Sequence, residues 1–289
     1  MQEQKYILEN VTSFEPKHIF ECGQCFRWDE EQDGNYTGIV KNNVINVKKV
    51  DNSIAFESLG ADNLEELVID YFDLNRDYEK IKDELSKIDE YLANSIKYGS
   101  GIRILNQDLW ETIISFIISA NNNIPRIKGI INRISQKYGT EIEWKGKKYY
   151  TFPTVENLAK ATVEDLRSLG LGFRDIRVYN TTHKILEKQV DLEKLHQEVD
   201  TQKVRDTLLT LDGVGPKVAD CILLFSTLKR FDVFPIDVWV RRVMNELYIK
   251  NEDETKVNKK DIEKLAKEKY GNLEGIAQQY LFYWKRDTA

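Results

Sequence analysis

The hydrophobic repeat of this chain changes period once, near residue 62, and that change limits the folds open to it. Before it, Tyr36 to Val40, Val44 to Val50 and Ser53 to Glu57 alternate apolar and polar side chains, separated by Asn42-Asn43 and Asp51-Asn52. Alternation broken by turn pairs is the pattern of an antiparallel meander. After it, the spacing is helical to the C-terminus. The pattern predicts an α+β chain, with a small N-terminal antiparallel sheet packed on a larger all-helical core. A length of 289 residues is enough for two such units. The run Tyr98-Gly99-Ser100-Gly101 places their boundary near residue 100, giving units 1–100, with connecting helices, and 101–289.

Within the helical part, Asp108-x-x-Glu111 reads as a capping box, and Asn121-Asn122-Asn123 with Pro125 ends one helix and starts the next. Thr162-x-x-Asp165 opens a short helix that Gly170 closes. No segment has the roughly 20 apolar residues needed to span a bilayer, and the N-terminus has neither the basic start nor the apolar run of a signal peptide. The expectation is a cytoplasmic protein with no membrane partner.

Three cysteines are an odd number and do not make a disulfide framework. Cys22-x-x-Cys25, with His18 nearby, has no second pair at ligand spacing, so no metal site is expected. An iron–sulfur cluster needs four thiolates. The net charge of −6 speaks against a polyanionic partner until its distribution is read. Residues 61 to 91 hold eleven acids against four bases, whereas residues 126 to 148 hold seven bases against two acids. That leaves either a basic face or a mixed solvated surface open.

The chemistry concentrates in Leu211-Asp212-Gly213-Val214-Gly215-Pro216-Lys217-Val218-Ala219-Asp220-Cys221. Thr201 to Thr210 reads as a helix before it, and Pro216 suits the first position of a helix after it, so Gly213, Val214 and Gly215 form the turn of a helical hairpin spanning 201–228. Amides at the start of the second helix have no intrahelical acceptor and make a phosphate site. Lys217 falls in that first turn, where the helix dipole and nearby apolar side chains favour the uncharged, nucleophilic amine. The same lysine could equally be a phosphate contact in a hairpin that only binds DNA. Asp237, in Pro235-Ile236-Asp237-Val238, stands before a helical run and reads as an N-cap whose second oxygen can face Lys217 and stabilise a cationic sugar.

Taken together, the hairpin followed about twenty residues later by Pro-Ile-Asp-Val resembles the helix-hairpin-helix (HhH-GPD) glycosylases, and the lysine resembles their bifunctional branch. Gly23-Gln24-Cys25-Phe26-Arg27-Trp28, Asn121-Asn122-Asn123-Ile124, Leu169-Gly170-Leu171-Gly172-Phe173-Arg174 and Gln278-x-x-x-Phe282 resemble the 8-oxoguanine DNA glycosylase/AP lyase family, in one order from about residue 5 to 284. The resemblance implies a TBP-like N-terminal sheet and a glycosylase that flips 8-oxoguanine out of duplex DNA and then cuts the strand. In it Lys217 attacks the sugar, Asp237 assists, and the Gly23 carbonyl reads the proton that oxidation adds to the base. Cys221, one turn after Lys217, packs on the base, with Phe282 opposite and Gln278 at its polar edge. Asn121 fills the hole, Phe173 is the wedge, and Arg126 and Arg174 hold the orphaned cytosine.

It further implies duplex DNA with 8-oxoguanine opposite cytosine as partner, a monomer at the nucleoid, no required cofactor, no iron–sulfur cluster, and a monovalent or divalent cation at the hairpin backbone. Trp239 stands where the family commonly has a histidine that contacts the DNA backbone. Two other readings remain: a glycosylase of the same fold for alkylated bases or oxidised pyrimidines, and a non-catalytic DNA-binding module.

Overall fold

A computed structural model describes residues 2–253 and 256–288. Strands β1 (Glu3–Leu8), β2 (Trp28–Glu30), β3 (Tyr36–Val40), β4 (Asn43–Val50) and β5 (Ser53–Leu59) form one antiparallel sheet in the order β1-β5-β4-β3-β2. The meander expected from alternation is its centre, with Tyr36 opposite Val47 and Val47 opposite Phe56. Strands β1 and β2, at the two edges, were not expected. β2 is held by Trp28, whose ring lies over Gly38 so closely that a Cβ there would be 2.3 Å away.

One face of the sheet packs on helices α1 (Pro16–Glu21) and α2 (Leu64–Tyr71) through Phe20, Trp28, Ile45, Val47, Phe56 and Val68. Trp28 stacks on Phe20 at 4.0 Å and donates to the Tyr71 hydroxyl at 3.0 Å, which pins the segment that follows Gly23. The opposite face is covered by a hairpin from the helical half, β6 (Glu141–Trp144) and β7 (Lys147–Tyr150), through Ile142 and Trp144 against Val44. This hairpin lies in a stretch expected to be helical. Its signal is the turn pair Lys145-Gly146, with φ +50° and +72°, which only a tight hairpin requires.

The remaining elements are helical: α3 (Tyr78–Ser86), α4 (Glu90–Tyr98), α5 (Leu109–Ser119), α6 (Ile124–Tyr138), α7 (Val155–Leu158), α8 (Val163–Ser168), α9 (Asp175–Leu186), α10 (Leu192–Gln197), α11 (Thr201–Leu208), α12 (Pro216–Phe225), α13 (Val238–Met244), α14 (Lys259–Tyr270) and α15 (Glu274–Thr288). Apolar on nearly all sides, α5 is buried from Leu109 to Ile118 except at Glu111, and it forms the axis around which the others pack. Asp108 caps it through the Glu111 N–H, while the Glu111 carboxylate turns 3.8 Å from Arg27. Thr162 and Asp165 form a reciprocal capping box at α8. The side chains of Ile81, Leu85, Leu92 and Ile96 join the helical core, and Leu105 packs under the sheet. Among the described residues no helix is long and apolar enough to cross a membrane.

Candidate active site and DNA face

Two glycines shape the turn between α11 and α12 for different reasons. Gly213 has φ +86°, and a Cβ there would sit 3.0 Å from Ile117 and 3.1 Å from Arg177. Gly215 has φ −91° with nothing within 4 Å, so its place is an open one. It caps α12 without a side-chain bond, leaving the first amides of that helix for a partner. Helix α9 braces the turn from behind. There the Thr181 hydroxyl donates to the Asp212 carbonyl at 2.9 Å, and the Lys184 ammonium donates to the Thr210 carbonyl at 2.8 Å.

Half-buried in the first turn of α12, Lys217 has its Nζ 5.5 Å from the ring centre of Phe116. Cys221 lies beneath it. Burial pushes the Cys221 thiol up to about 11; the Lys217 charge and hydrogen bond oppose that rise, and Asp237 adds to it. At this pKa Cys221 is a neutral thiol at physiological pH, and it feels the charges of both candidate catalytic groups. The α13 helix begins at Asp237, whose Oδ1 accepts the Val240 N–H at 2.8 Å. The N-cap role is therefore filled by one oxygen.

A single pocket gathers Lys217, Cys221, Asp237, Gly23, Gln278 and Phe282. Phe116, Phe225, Pro235 and Val240 complete its apolar wall. Phe116 escaped the sequence reading because nothing distinguishes it from the other apolar residues of α5. The pocket has about 50 Å³ of room for water, a few molecules and not a purine. Phe282 is against Gly23, its Cε1 3.5 Å from where a Cβ would be. Two acceptors in this pocket are unused: the Gln278 Oε1 is buried without a partner, and the Gly23 carbonyl accepts no hydrogen bond among the described residues. Gly23 has φ +87°.

The DNA-face residues separate into two kinds. Asn121, at the end of α5 with φ +51°, is exposed, as are Arg126 and Phe173, the latter 52 % exposed. Among the described residues the Arg126 guanidinium makes one hydrogen bond, at 3.4 Å to the Gly170 carbonyl. Arg174, expected beside the orphaned cytosine, is 2 % exposed here and donates to Ala120 O at 2.8 and 2.6 Å, Asn121 O at 2.7 Å and Leu171 O at 3.2 Å. Orphan carbonyls at the end of α5 need such donors, so Arg174 fixes the Asn121 loop. Its guanidinium lies 4.2 Å from the Phe173 ring centre, and Arg177, unnoticed in the sequence, lies 5.1 Å from it.

The basic stretch 126–148 does not form one basic face. Five of its lysines pair with carboxylates: Lys128 with Asp29, Lys137 with Asp165, Lys145 with Glu57, Lys147 with Glu31 and Lys148 with Glu141. The Trp239 Nε1–H is buried without an acceptor. Cys22 and Cys25 are buried, their thiols donating to the carbonyls of Ile19 and Phe20.

Known proteins resemble this chain over most of its length. Residues 6–113 match the 8-oxoguanine DNA glycosylase N-terminal domain, and residues 114–270 match the HhH-GPD superfamily of base excision DNA repair proteins. A probable N-glycosylase/DNA lyase of Methanothermobacter thermautotrophicus is 32% identical over 231 residues, 73% of this chain and 71% of that one. The N-glycosylase/DNA lyase of Saccharomyces cerevisiae is 32% identical over 255 residues, 80% and 67% of the two chains. The crystal structure of Clostridium acetobutylicum 8-oxoguanine glycosylase/lyase, in complex with double-stranded DNA containing cytosine opposite 8-oxoG, superimposes with a TM-score of 0.92 at 42% identity, covering 100% of this chain and 98% of that one. The two family matches together run from residue 6 to 270, and this chain belongs to the HhH-GPD superfamily of base excision DNA repair proteins, with the N-terminal domain of the 8-oxoguanine DNA glycosylases.

Proposed function

We infer that this chain is a bifunctional DNA glycosylase/AP lyase that excises 8-oxoguanine from duplex DNA and then cleaves the strand. The observation that carries this reading is the single pocket in which Lys217, the neutral Cys221 thiol and Asp237 face a wall bearing two unused acceptors, Gly23 O and Gln278 Oε1. In the reaction the Lys217 amine forms a bond to C1′ as the bond from C1′ to the base breaks, with the bonding electrons leaving on the base. Asp237, holding one oxygen on Val240 N–H, offers the other to the cationic sugar. Loss of the amine proton and ring opening give a Schiff base. Removal of a 2′ proton then expels the 3′ phosphate, and hydrolysis of the imine frees Lys217.

Selection rests on the same unused acceptors. Oxidation gives guanine's imidazole ring an N–H that Gly23 O can accept, whereas normal guanine would set acceptor against acceptor. One such mismatch is worth about 1–3 kcal/mol. Because the pocket is too small for a purine as it stands, entry of the base displaces the Phe282 ring from Gly23, and the ring then closes on the base opposite Cys221.

In the duplex, Phe173 and Asn121 enter the space the base leaves, Arg126 reaches the orphaned cytosine, and Arg174 holds the Asn121 loop from behind. Gly213, Val214 and Gly215 bring a phosphate to the amides of α12. The chemistry runs on protein groups, and three cysteines are too few for an iron–sulfur cluster. A monovalent or divalent cation on the turn's carbonyls would add positive charge toward that phosphate. Leu211 O and Asp212 O each accept one bond and keep a lone pair for it. Acting on chromosomal DNA places the enzyme at the nucleoid, as a monomer.

The test is a single-turnover panel of duplexes with 8-oxoguanine opposite each of the four bases, undamaged guanine, an alkylated purine and an oxidised pyrimidine. The expected order puts 8-oxoguanine opposite cytosine first. Faster release of the pyrimidine or the alkylated base would overturn the role given to Gly23.

A further inference from the structure

A carbonyl that reads one proton is only as selective as its aim, because hydrogen bonds weaken steeply once bent. The Gly23 carbonyl sits in a backbone turn, and its neighbours are all held by side chains. Glu21 O accepts Arg286 Nη1–H at 2.7 Å, Cys22 O accepts Gln279 Nε2–H at 2.5 Å, and Gln24 O accepts Gln107 Nε2–H at 2.7 Å. Among the described residues, Gly23 O alone in this run is left without a donor.

Two of the three clamps come from α15. Gln279, Phe282 and Arg286 stand at i, i+3 and i+7, one stripe of that helix, and the Arg286 guanidinium lies 5.8 Å from the Phe282 ring centre and 5.3 Å from that of Tyr283. Arg286 Nε–H also donates to Asp287 at 2.7 Å, which steadies the guanidinium over the turn. A Cβ on Gly23 would lie 3.9 Å from Arg286 Nη1 and 3.5 Å from Phe282 Cε1, so clamp, ring and carbonyl share one contact surface.

We propose that Gln279 and Arg286 are positioning residues for lesion recognition: by holding the carbonyls of Cys22 and Glu21 they fix the direction of the Gly23 carbonyl relative to the Phe282 wall. Helix α15 thus carries one wall of the base site and also sets the reader across from it. The inference rests on the reading of Gly23 given above. Removing the Gln279 donor leaves the carbonyl of fully buried Cys22 unmatched, and removing the Arg286 donor releases the carbonyl of half-buried Glu21, so in either variant the peptide planes beside Gly23 are free to turn.

An abasic site has no base to read, so it separates aim from chemistry. The full-length protein and its Arg286→Ala, Arg286→Lys and Gln279→Leu variants are compared on a duplex with 8-oxoguanine opposite cytosine and on the same duplex with an abasic site. Arg286→Ala and Gln279→Leu should each slow 8-oxoguanine release by about tenfold or more, while borohydride trapping on the abasic duplex stays within about twofold of the parent. Arg286→Lys, which keeps one donor for Glu21 O, should recover most of the loss. Unchanged release by both variants overturns the proposal, as does an equal fall on both duplexes, which would mark a merely structural role. Parent protein that releases no 8-oxoguanine defeats the reading of the site itself, and that failure is visible before any variant is made.

Discussion

Asp237 commits one carboxylate oxygen to the Val240 N–H and leaves the other for the pocket, and substitutions can divide the two duties. Asparagine caps a helix about as well as aspartate, so Asp237→Asn should keep stability within about 0.5 kcal/mol while excision falls by roughly 10²–10³. Asp237→Ala loses the cap as well and should cost about 0.5–2 kcal/mol in unfolding free energy. Denaturant melts beside single-turnover rates check this, and an active Asp237→Asn protein would contradict the charge's role. The residues proposed to carry the chemistry could be named from the sequence because Lys217 and Asp237 are tied to helix starts, which short sequence patterns reveal. The bonds of Arg174 and the place of Phe116 in the pocket could not. The guanidinium of Arg174 is bonded to the carbonyls of Ala120 and Asn121, 54 and 53 positions away, and no local pattern encodes that.

At the scale of elements, the hairpin offers the sharpest contrast. Gly213→Ala must hold φ +86° with a Cβ 3.0 Å from Ile117, so it should cost about 1–2 kcal/mol of stability. Gly215→Ala, with φ −91° and open space, should change stability by less than about 1 kcal/mol, yet its methyl stands where a phosphate would approach and should weaken DNA binding across sequences. Melting and duplex affinity measured for both variants would show this crossing. Equal effects in both assays would argue against the hairpin as the phosphate site.

The same scale shows where sequence reading fell short. β3, β4 and β5 alternate between good turn pairs and were found; β2 is three residues long and is defined by Trp28 lying over Gly38, a contact with no sequence period. β1 alternates, but its partner β5 lies some fifty residues away. The β6–β7 hairpin was masked by its lysines, which left a basic face or a mixed solvated surface open and instead pair with carboxylates, including Glu31 and Glu57 of the sheet domain.

For the molecule as a whole, the pairing of the basic stretch with carboxylates leaves no broad basic field there, so the contact face proposed for this chain of net charge −6 would rest on the amides of α12 and a few arginines, Arg126 and Arg177 among them. Several buried carboxyls also tie stability to pH. Burial pushes Asp220 up to about 6 and Glu274 up to about 7, with Arg205 and Lys267 opposing the rise in turn. Each holds its proton in the folded state at a pH where the unfolded chain has released it. Their contribution is complete below about pH 4 and is lost as pH rises through 6 to 7. Glu274→Gln should therefore flatten the fall in melting temperature between about pH 5 and 7.5. An unaltered slope would remove Glu274 from the account.

The claim beneath all of this is that the Lys217 amine bonds to deoxyribose. Incubation with a duplex carrying 8-oxoguanine opposite cytosine in the presence of borohydride, followed by denaturing electrophoresis and peptide mapping, measures it directly. The account predicts one covalent protein–DNA adduct joined through Lys217, absent from a folded Lys217→Gln protein. A duplex cut without any trapped adduct, or an adduct that maps to another residue, would contradict it.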